Sequence, residues 1–286
     1  MLNVVSARLT ATPPSIQVLL AIVSIQLGAA FAINLFPVLG PAGTVFCRLL
    51  ISAMLLFLFI RPKINKGIFR HSKLLLTYGI TLALMNWCFY ESISRIPLGI
   101  AVAIEFVGPL SVGVFTSRRK LDLLWVALAL AGLLILTPEF GSNLDPVGVI
   151  YAVFAGIGWG GFVLLSKRVS KDLNGNDGLV YGMIVASFFM LPIAGVSVVP
   201  LLNTVSLIGS VIALAILSTT IPFFLEFSAL KKLPPVTYGV LITLEPVVAS
   251  VVGAIALGDR LGVSGVLAIF FVTAAAIGAT LTQKTE

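Results

Sequence analysis

Charge is what this chain has least of. Only 10% of its 286 residues are Asp, Glu, Lys or Arg, and one histidine and two cysteines make up its stock of soft metal ligands and thiols. Each scarcity removes a class of function. A single histidine, His71 in a basic loop, allows no H-E-x-x-H site, and two thiols do not complete a tetrahedral zinc centre. There is no Walker loop for ATP-driven pumping. Cys47 and Cys88 both fall within apolar runs, where packing explains them better than a disulfide. The run Gly156-Ile157-Gly158-Trp159-Gly160-Gly161 matches G-x-G-x-x-G, but it lacks the preceding strand and βα turn that a dinucleotide site needs, so it reads as a close helix-packing face. No cofactor, metal or catalytic residue is expected.

Apolar surface is what the chain has in excess. The hydrophobic fraction is 59% and mean hydropathy +1.13, far outside the range of water-soluble domains. Ten apolar runs follow one another, at 16–36, 42–60, 74–94, 97–117, 121–137, 147–166, 178–196, 208–229, 235–257 and 263–282. Each is long enough to cross a hydrocarbon core of roughly 30 Å as an α-helix, whereas barrel strands would alternate and be about half as long. The chain is therefore expected to be an all-α polytopic membrane protein embedded in a lipid bilayer. The longest connection, Arg61 to Lys73, leaves no room for a soluble domain. The first run is too long for a cleaved signal peptide and reads as retained.

A net charge of +7 with a pI near 9.7 would suggest nucleic acid in a soluble protein. Here the bases sort by loop. Fifteen of the eighteen lie on one side of the predicted spans, among them Arg61, Lys63, Lys66, Arg70, Lys73, Arg118, Arg119, Lys120, Lys167, Arg168, Lys171, Lys231 and Lys232. Only Arg95 and Arg260 lie on the other side, and Arg48 lies within a span. By the positive-inside rule this places both termini of a multi-pass protein in the cytoplasm, and no nucleic-acid partner is expected.

The sequence also repeats itself weakly. Residues 92–110 lie over 229–247 at a constant offset of 137, which matches Pro97 with Pro234 and Pro109 with Pro246. Ala29-Ala30-Phe31 lies over Gly160-Gly161-Phe162 at an offset of 131. The halves are then 16–137 and 146–282, with five spans each, joined by the link Pro138 to Pro146. Because five is odd, equivalent spans cross in opposite directions. Two inverted five-helix repeats around a central cavity are an arrangement of secondary transporters that work by alternating access.

Five ionisable residues fall inside spans: Arg48, Glu91, Glu105, Glu226 and Glu245. Such groups are costly in lipid, about 2.5–3.5 kcal/mol each on insertion scales, and mark function unless paired. Glu91 precedes Arg95 by four residues, and an i,i+4 ion pair accounts for it. Glu226 lies one turn from a basic helix end, close to Lys231 and Lys232, where a paired end-charge is the simpler reading. Glu105 and Glu245 sit near mid-bilayer, and Arg48 is placed to reach towards them. One alternative is that Arg48 and a glutamate only neutralise each other and lock helices together.

Prolines accompany the central glutamates. Pro109 cannot donate to the carbonyl of Glu105, and Pro246 leaves that of Ile242 free, so the backbone there is loosened. Such backbone is tolerated at membrane depth where it is buried or lines a wet cavity. Ser218-Thr219-Thr220-Ile221-Pro222 adds hydroxyls that either satisfy carbonyls freed by Pro222 or bind a ligand, and Gln26, Asn86 and Tyr238 are further polar candidates. A cavity with a guanidinium, carboxylates, amides and hydroxyls suits a zwitterion such as an amino acid. The expected substrate-binding set is Arg48, Glu105, Glu245, Gln26, Asn86, Thr219, Thr220 and Tyr238.

Four stretches carry a family resemblance: SIQLGAAFAINLFPVLGPAGTVFCRLL (24–50), IPLGIAVAIEFVGPLSVGVFTSRRKLD (96–122), LSTTIPFFLEFSALKKLP (217–234) and LEPVVASVVGAIALGDRL (244–261). The sequence resembles the drug/metabolite transporter superfamily, EamA type, and within it bacterial threonine/homoserine exporters. The resemblance implies the ten-helix fold of two inverted repeats, export of small amino acids, and proton antiport as the energy source. It carries functional weight onto Arg48, Glu105, Glu245 and Glu226, the three glutamates being its proton-coupling candidates. Protons and a small amino acid are then the expected partners, with the protein a monomer or homodimer. A different cargo on the same fold and a membrane-embedded lipid enzyme using the glutamates as acid and base are the competing readings.

Overall fold

The computed structural model describes residues 12–63, 66–96, 101, 104–109, 111–112, 120–136, 145–173, 176–199, 205–242, 244–245 and 248, and single positions at 267, 270, 271, 274, 275 and 278. Most of the fourth and tenth expected spans, the second half of the ninth, Pro97, Pro246, Arg260 and nearly all of the Pro138 to Pro146 link lie outside the described residues.

All regular structure among the described residues is helical. In chain order the elements are α1 (Pro14–Ile60), α2 (Lys66–Arg70), α3 (Ser72–Ile93), α4 (Lys120–Leu136), α5 (Pro146–Asp172), α6 (Asp177–Ala194), α7 (Val205–Ala215), α8 (Ile221–Leu230) and α9 (Pro235–Ile242). A short 3₁₀ turn, Gly195–Val198, follows α6, a π-helical turn, Ile216–Thr220, joins α7 to α8, and residues 104–109 are helical as well. By length and composition, Leu35–Ile60, Pro146–Asp172, Asp177–Ala194 and Leu207–Leu230 can each cross a membrane. The chain is a multi-pass membrane protein, and its surface fits that: Leu58, Phe154, Ile157 and Phe188 are all exposed large apolar residues.

The helices end where local chemistry ends them. Asp145 caps α5 by accepting from the Val147 N–H at 2.9 Å, with Pro146 in the first helical position, where its missing N–H costs nothing. Arg61 closes α1 in a left-handed conformation, its N–H returning to the Phe57 carbonyl at 2.9 Å.

The one internal break in α1 is Gly40, at φ 66°, ψ 171°, a conformation that suits only glycine, flanked by Pro37 and Pro41. Two hydrogen bonds show that the chain reverses there. Ser24 donates to the Leu217 carbonyl at 2.7 Å and Ser52 to the Ala215 carbonyl at 3.1 Å. In a straight helix at 1.5 Å per residue these serines would stand about 40 Å apart. Instead they meet carbonyls two residues apart, so α1 is a hairpin whose arms match the expected spans at 16–36 and 42–60.

The arms of α1 pack against α6, α7, the π turn and α8, while α3 packs on α5 and α6. The glycines of α5 set how closely its neighbours approach. A Cβ at Gly156 would stand 2.8 Å from the Glu105 carbonyl oxygen, at Gly158 2.9 Å from Met85 Cβ, and at Gly161 3.2 Å from Thr81. The G-x-G-x-x-G run is thus a packing face. The Glu105 carbonyl, which Pro109 leaves without its helical donor, lies against this glycine face.

Candidate functional site

The bundle encloses a cavity of about 140 Å³ lined by residues from nearly every described element around it. The first arm of α1 contributes Ile25, Ala32 and Phe36, and the second contributes Arg48. Helix α3 adds Met85, Asn86, Phe89, Tyr90 and Ile93; α5 adds Trp159; the π turn adds Ser218; and α8 adds Phe223 and Glu226. Glu105 and Phe106 enter from the 104–109 helix, and Glu245 enters just beyond α9. The volume is close to that of a ~150 Å³ protein cavity that holds benzene, which sets the scale of a small metabolite.

The charged residues are withdrawn from the protein surface. Arg48 is 5% exposed, Glu105 6% and Glu226 4%. Arg48 Nη1 donates to the Tyr90 hydroxyl at 2.8 Å and Nη2 donates to Asn86 Oδ1. Asn86 is held in turn by donating to the Leu82 carbonyl at 2.7 Å. The guanidinium also lies 4.3 Å from the Tyr90 ring centroid, and Phe36 meets that ring edge-on at 5.0 Å. No carboxylate among the described residues lies within 4.0 Å of Arg48. Its Nε–H is buried without a partner among them. No direct ion pair among the described residues holds Arg48: neutral groups position it, and a buried guanidinium without a carboxylate in contact carries the kind of cost that a bound anion would offset.

The other pole is carboxylate. Gln26 Nε2 donates to Glu245 Oε1 at 3.4 Å across the bundle. Glu226, which depth alone placed among end-charges and the family resemblance made a candidate, lies at the cavity. In the structure it is buried and faces the cavity, while Lys231 bonds the Asn176 side chain and lies 4.8 Å from the Phe227 ring centroid. The π turn, with Pro222 just after it in the first turn of α8, alters the register at which α8 presents its face. Tyr238 is fully buried outside the cavity lining, its hydroxyl near Glu226 and Trp159 but without a hydrogen bond among the described residues.

Four of the expected ligands do not line the cavity: Tyr238, Gln26, which reaches it only through Glu245, and the two threonines. Thr220 donates to Ser52 Oγ at 2.9 Å and to the Ala215 carbonyl at 3.0 Å, and Thr219 is buried at 3.3 Å from Ser218 Oγ. The π turn leaves carbonyls without their usual donors, and hydroxyls supply them: Ser218 serves Leu214 at 2.7 Å, Thr220 and Ser52 serve Ala215, and Ser24 serves Leu217. Ser218 is the hydroxyl residue of the motif that lines the site. Ser218 was expected only as part of its hydroxyl run, and Tyr90 and the aromatic walls were not among the expected residues. Tyr90 was within reach, because it follows Asn86 by one turn on the same face of α3. Glu91, one residue further round, is not in the lining and pairs with Arg95 and with the indole of Trp87, which donates to it at 3.2 Å.

Over 275 residues, 96% of this chain and 93% of the relative, the sequence is 39% identical to the threonine/homoserine exporter RhtA of Escherichia coli strain K12. The chain belongs to the EamA-like transporter family. The family model itself matches residues 146–281, the second of the two expected halves. RhtA of Salmonella typhimurium strain LT2 is 38% identical over the same shares, and an uncharacterized transporter of Bacillus subtilis, YwfM, is 25% identical over 78% of each chain. A solved crystal structure superposes with a TM-score of 0.70 at 18% identity, covering 94% of this chain and 97% of that one, which shows that the fold is shared. As a transporter-family protein the chain is not an enzyme, and its buried glutamates are not the acid and base of lipid chemistry.

Proposed function

We propose that this protein is a secondary exporter of small amino acids of the threonine/homoserine type in the bacterial inner membrane, with ten spans arranged as two inverted EamA-type repeats, 16–137 and 146–282, and both termini cytoplasmic. The observation that carries the reading is the polarity of the cavity. A guanidinium is held by neutral partners with no carboxylate in contact, and three carboxylates from different elements line the same cavity. A zwitterion placed between them puts its carboxylate on Arg48 and its ammonium among Glu105, Glu226 and Glu245. Ser218 offers its oxygen to a side-chain hydroxyl, and the aromatic walls limit length. Near-whole-length identity to exporters of threonine and homoserine supports the cargo class.

Proton antiport completes the proposal. A cavity holding one cationic and three acidic side chains balances when protons or an ammonium occupy the acids, so proton and substrate compete for the same oxygens. Protonation from outside releases substrate, and loss of the proton inside restores binding. The test is exchange of labelled threonine and homoserine in liposomes containing the purified protein, with and without a pH gradient, alongside Glu245→Gln. Saturable exchange that the gradient accelerates and the substitution abolishes is the expected result. Exchange indifferent to the gradient removes antiport, and no exchange by folded protein removes the cargo.

A further inference from the structure

A second pocket lies apart from the central cavity, where the α2–α3 junction and the last turns of α5 together line it. It has a volume of about 470 Å³ and is lined by Arg70, His71, Ser72, Lys73, Thr77 and Arg168, with Leu74 and Leu165 on its inner side. His71 bridges the helices through Asp172, at 3.7 Å. Among the described residues Arg70, Lys73 and Arg168 are in no ion pair, so three cations converge on one opening with a single acidic neighbour. The first turn of α3 adds N–H groups that no side chain caps.

The surroundings of the pocket identify what it takes. Phe69, beside Arg70, is 73% exposed. Leu76, one turn along α3 from Lys73, and Leu164, beside Leu165, are exposed as well. Cationic groups above an apolar rim reproduce the order of a phospholipid at a membrane boundary, phosphate outermost and acyl chain below. A soluble anion has no use for that rim. We infer that the α2–α3–α5 pocket is a binding site for the phosphate headgroup of an anionic phospholipid, with Arg70, Lys73 and Arg168 on the phosphate and Phe69 seated at the acyl boundary. The site is independent of the cargo assigned to the central cavity.

The experiment measures binding of phosphatidylglycerol and phosphatidylcholine to the full-length protein in detergent by native mass spectrometry, for the wild type and for Arg70→Ala/Arg168→Ala. Each cation near an anionic surface is worth about 1 kcal/mol, so removing two weakens phosphatidylglycerol binding about 30-fold, while the weak phosphatidylcholine binding is unchanged. Equal affinity for the two lipids, or a double variant that binds phosphatidylglycerol like the wild type, overturns the proposal. A second measurement needs no variant. Phosphatidylglycerol should protect Lys73 of the wild type from an amine-acetylating reagent, read by peptide mass spectrometry, and phosphatidylcholine should not. If millimolar inorganic phosphate protects Lys73 as well as phosphatidylglycerol does, the pocket is a free-anion site and the lipid assignment fails.

Discussion

Alanine at Gly108 tests whether the glycine face of α5 sets the position of the cavity glutamate. A Cβ built on Gly108 stands 1.8 Å from the Gly156 carbonyl oxygen and 2.5 Å from its carbonyl carbon. Both are backbone atoms, so no rotamer change relieves the clash. Moving that contact from 1.8 Å to the 3.0 Å below which real Cβ atoms essentially never come requires the 104–109 helix and α5 to part by more than 1 Å. Overpacking of this kind costs typically 1–3 kcal/mol and occasionally more, and a backbone-on-backbone contact belongs at the upper end, at about 3 kcal/mol. At roughly 2–4 °C per kcal/mol for a chain of this order of size, the melting temperature in detergent falls by about 6–12 °C. Glu105 moves with its helix, so exchange falls by about 100-fold, the scale of a 1 Å misplacement in a preorganised site. Gly209→Ala is the control: nothing lies within 4 Å of its Cβ position, and alanine should gain about 0.5–1 kcal/mol there. A Gly108→Ala protein that melts within a degree of the wild type and exchanges substrate normally would refute the packing argument.

Arg48→Lys keeps the charge but loses the planar two-point attachment to Asn86 and Tyr90, worth about 1.5–3 kcal/mol for hydrogen bonds to a charged group, so transport efficiency should fall roughly 10- to 100-fold with folding retained; wild-type kinetics in liposomes would remove Arg48 from the site. Thr220→Val should cost about 1–3 kcal/mol of stability through its lost bonds to Ser52 and Ala215 and leave the half-saturation concentration unchanged, whereas Ser218→Ala should narrow the preference for hydroxylated substrates over valine; the reverse pattern would put Thr220, and not Ser218, on the substrate. Burial pushes Lys231 down to about 8 from an ordinary value near 10.4. Its neutral form is thus favoured in the fold, the unfolded chain binds more protons between those values, and stability rises with pH through that window. Lys231→Gln should flatten the rise in melting temperature between pH 8 and 10, and an unchanged slope would show that Lys231 does not titrate in that range.

The legible parts of this protein were those governed by solvent. Apolar length placed the arms of α1, and α3 through α8, within a few residues, because a segment that cannot be hydrated has to span. Depth alone also marked Arg48, Glu105 and Glu245. What depth could not supply was rotation about the helix axis. Glu226 and Ser218 face the cavity through a π turn, a local change in winding with no residue signature beyond a hydroxyl run before a proline. Thr219 and Thr220 looked like ligands for the same reason, yet backbone carbonyls claim Thr220 and burial claims Thr219. The partners of Arg48 depended on knowing which face of α3 it met. Once that face is fixed, Asn86 and Tyr90 follow from a four-residue spacing.

The hairpin at Gly40 has a consequence for how the protein is built. Its two arms carry Gln26 and Arg48, one touching a carboxylate and the other bearing a buried guanidinium, and both are stitched through serines to the same turn of the π segment. That stitching works as a caliper. The spacing of Gln26 and Arg48 is set by one continuous stretch of chain and a single glycine torsion, so on the proposed site a substitution at Gly40 would alter the cavity without changing any residue that lines it.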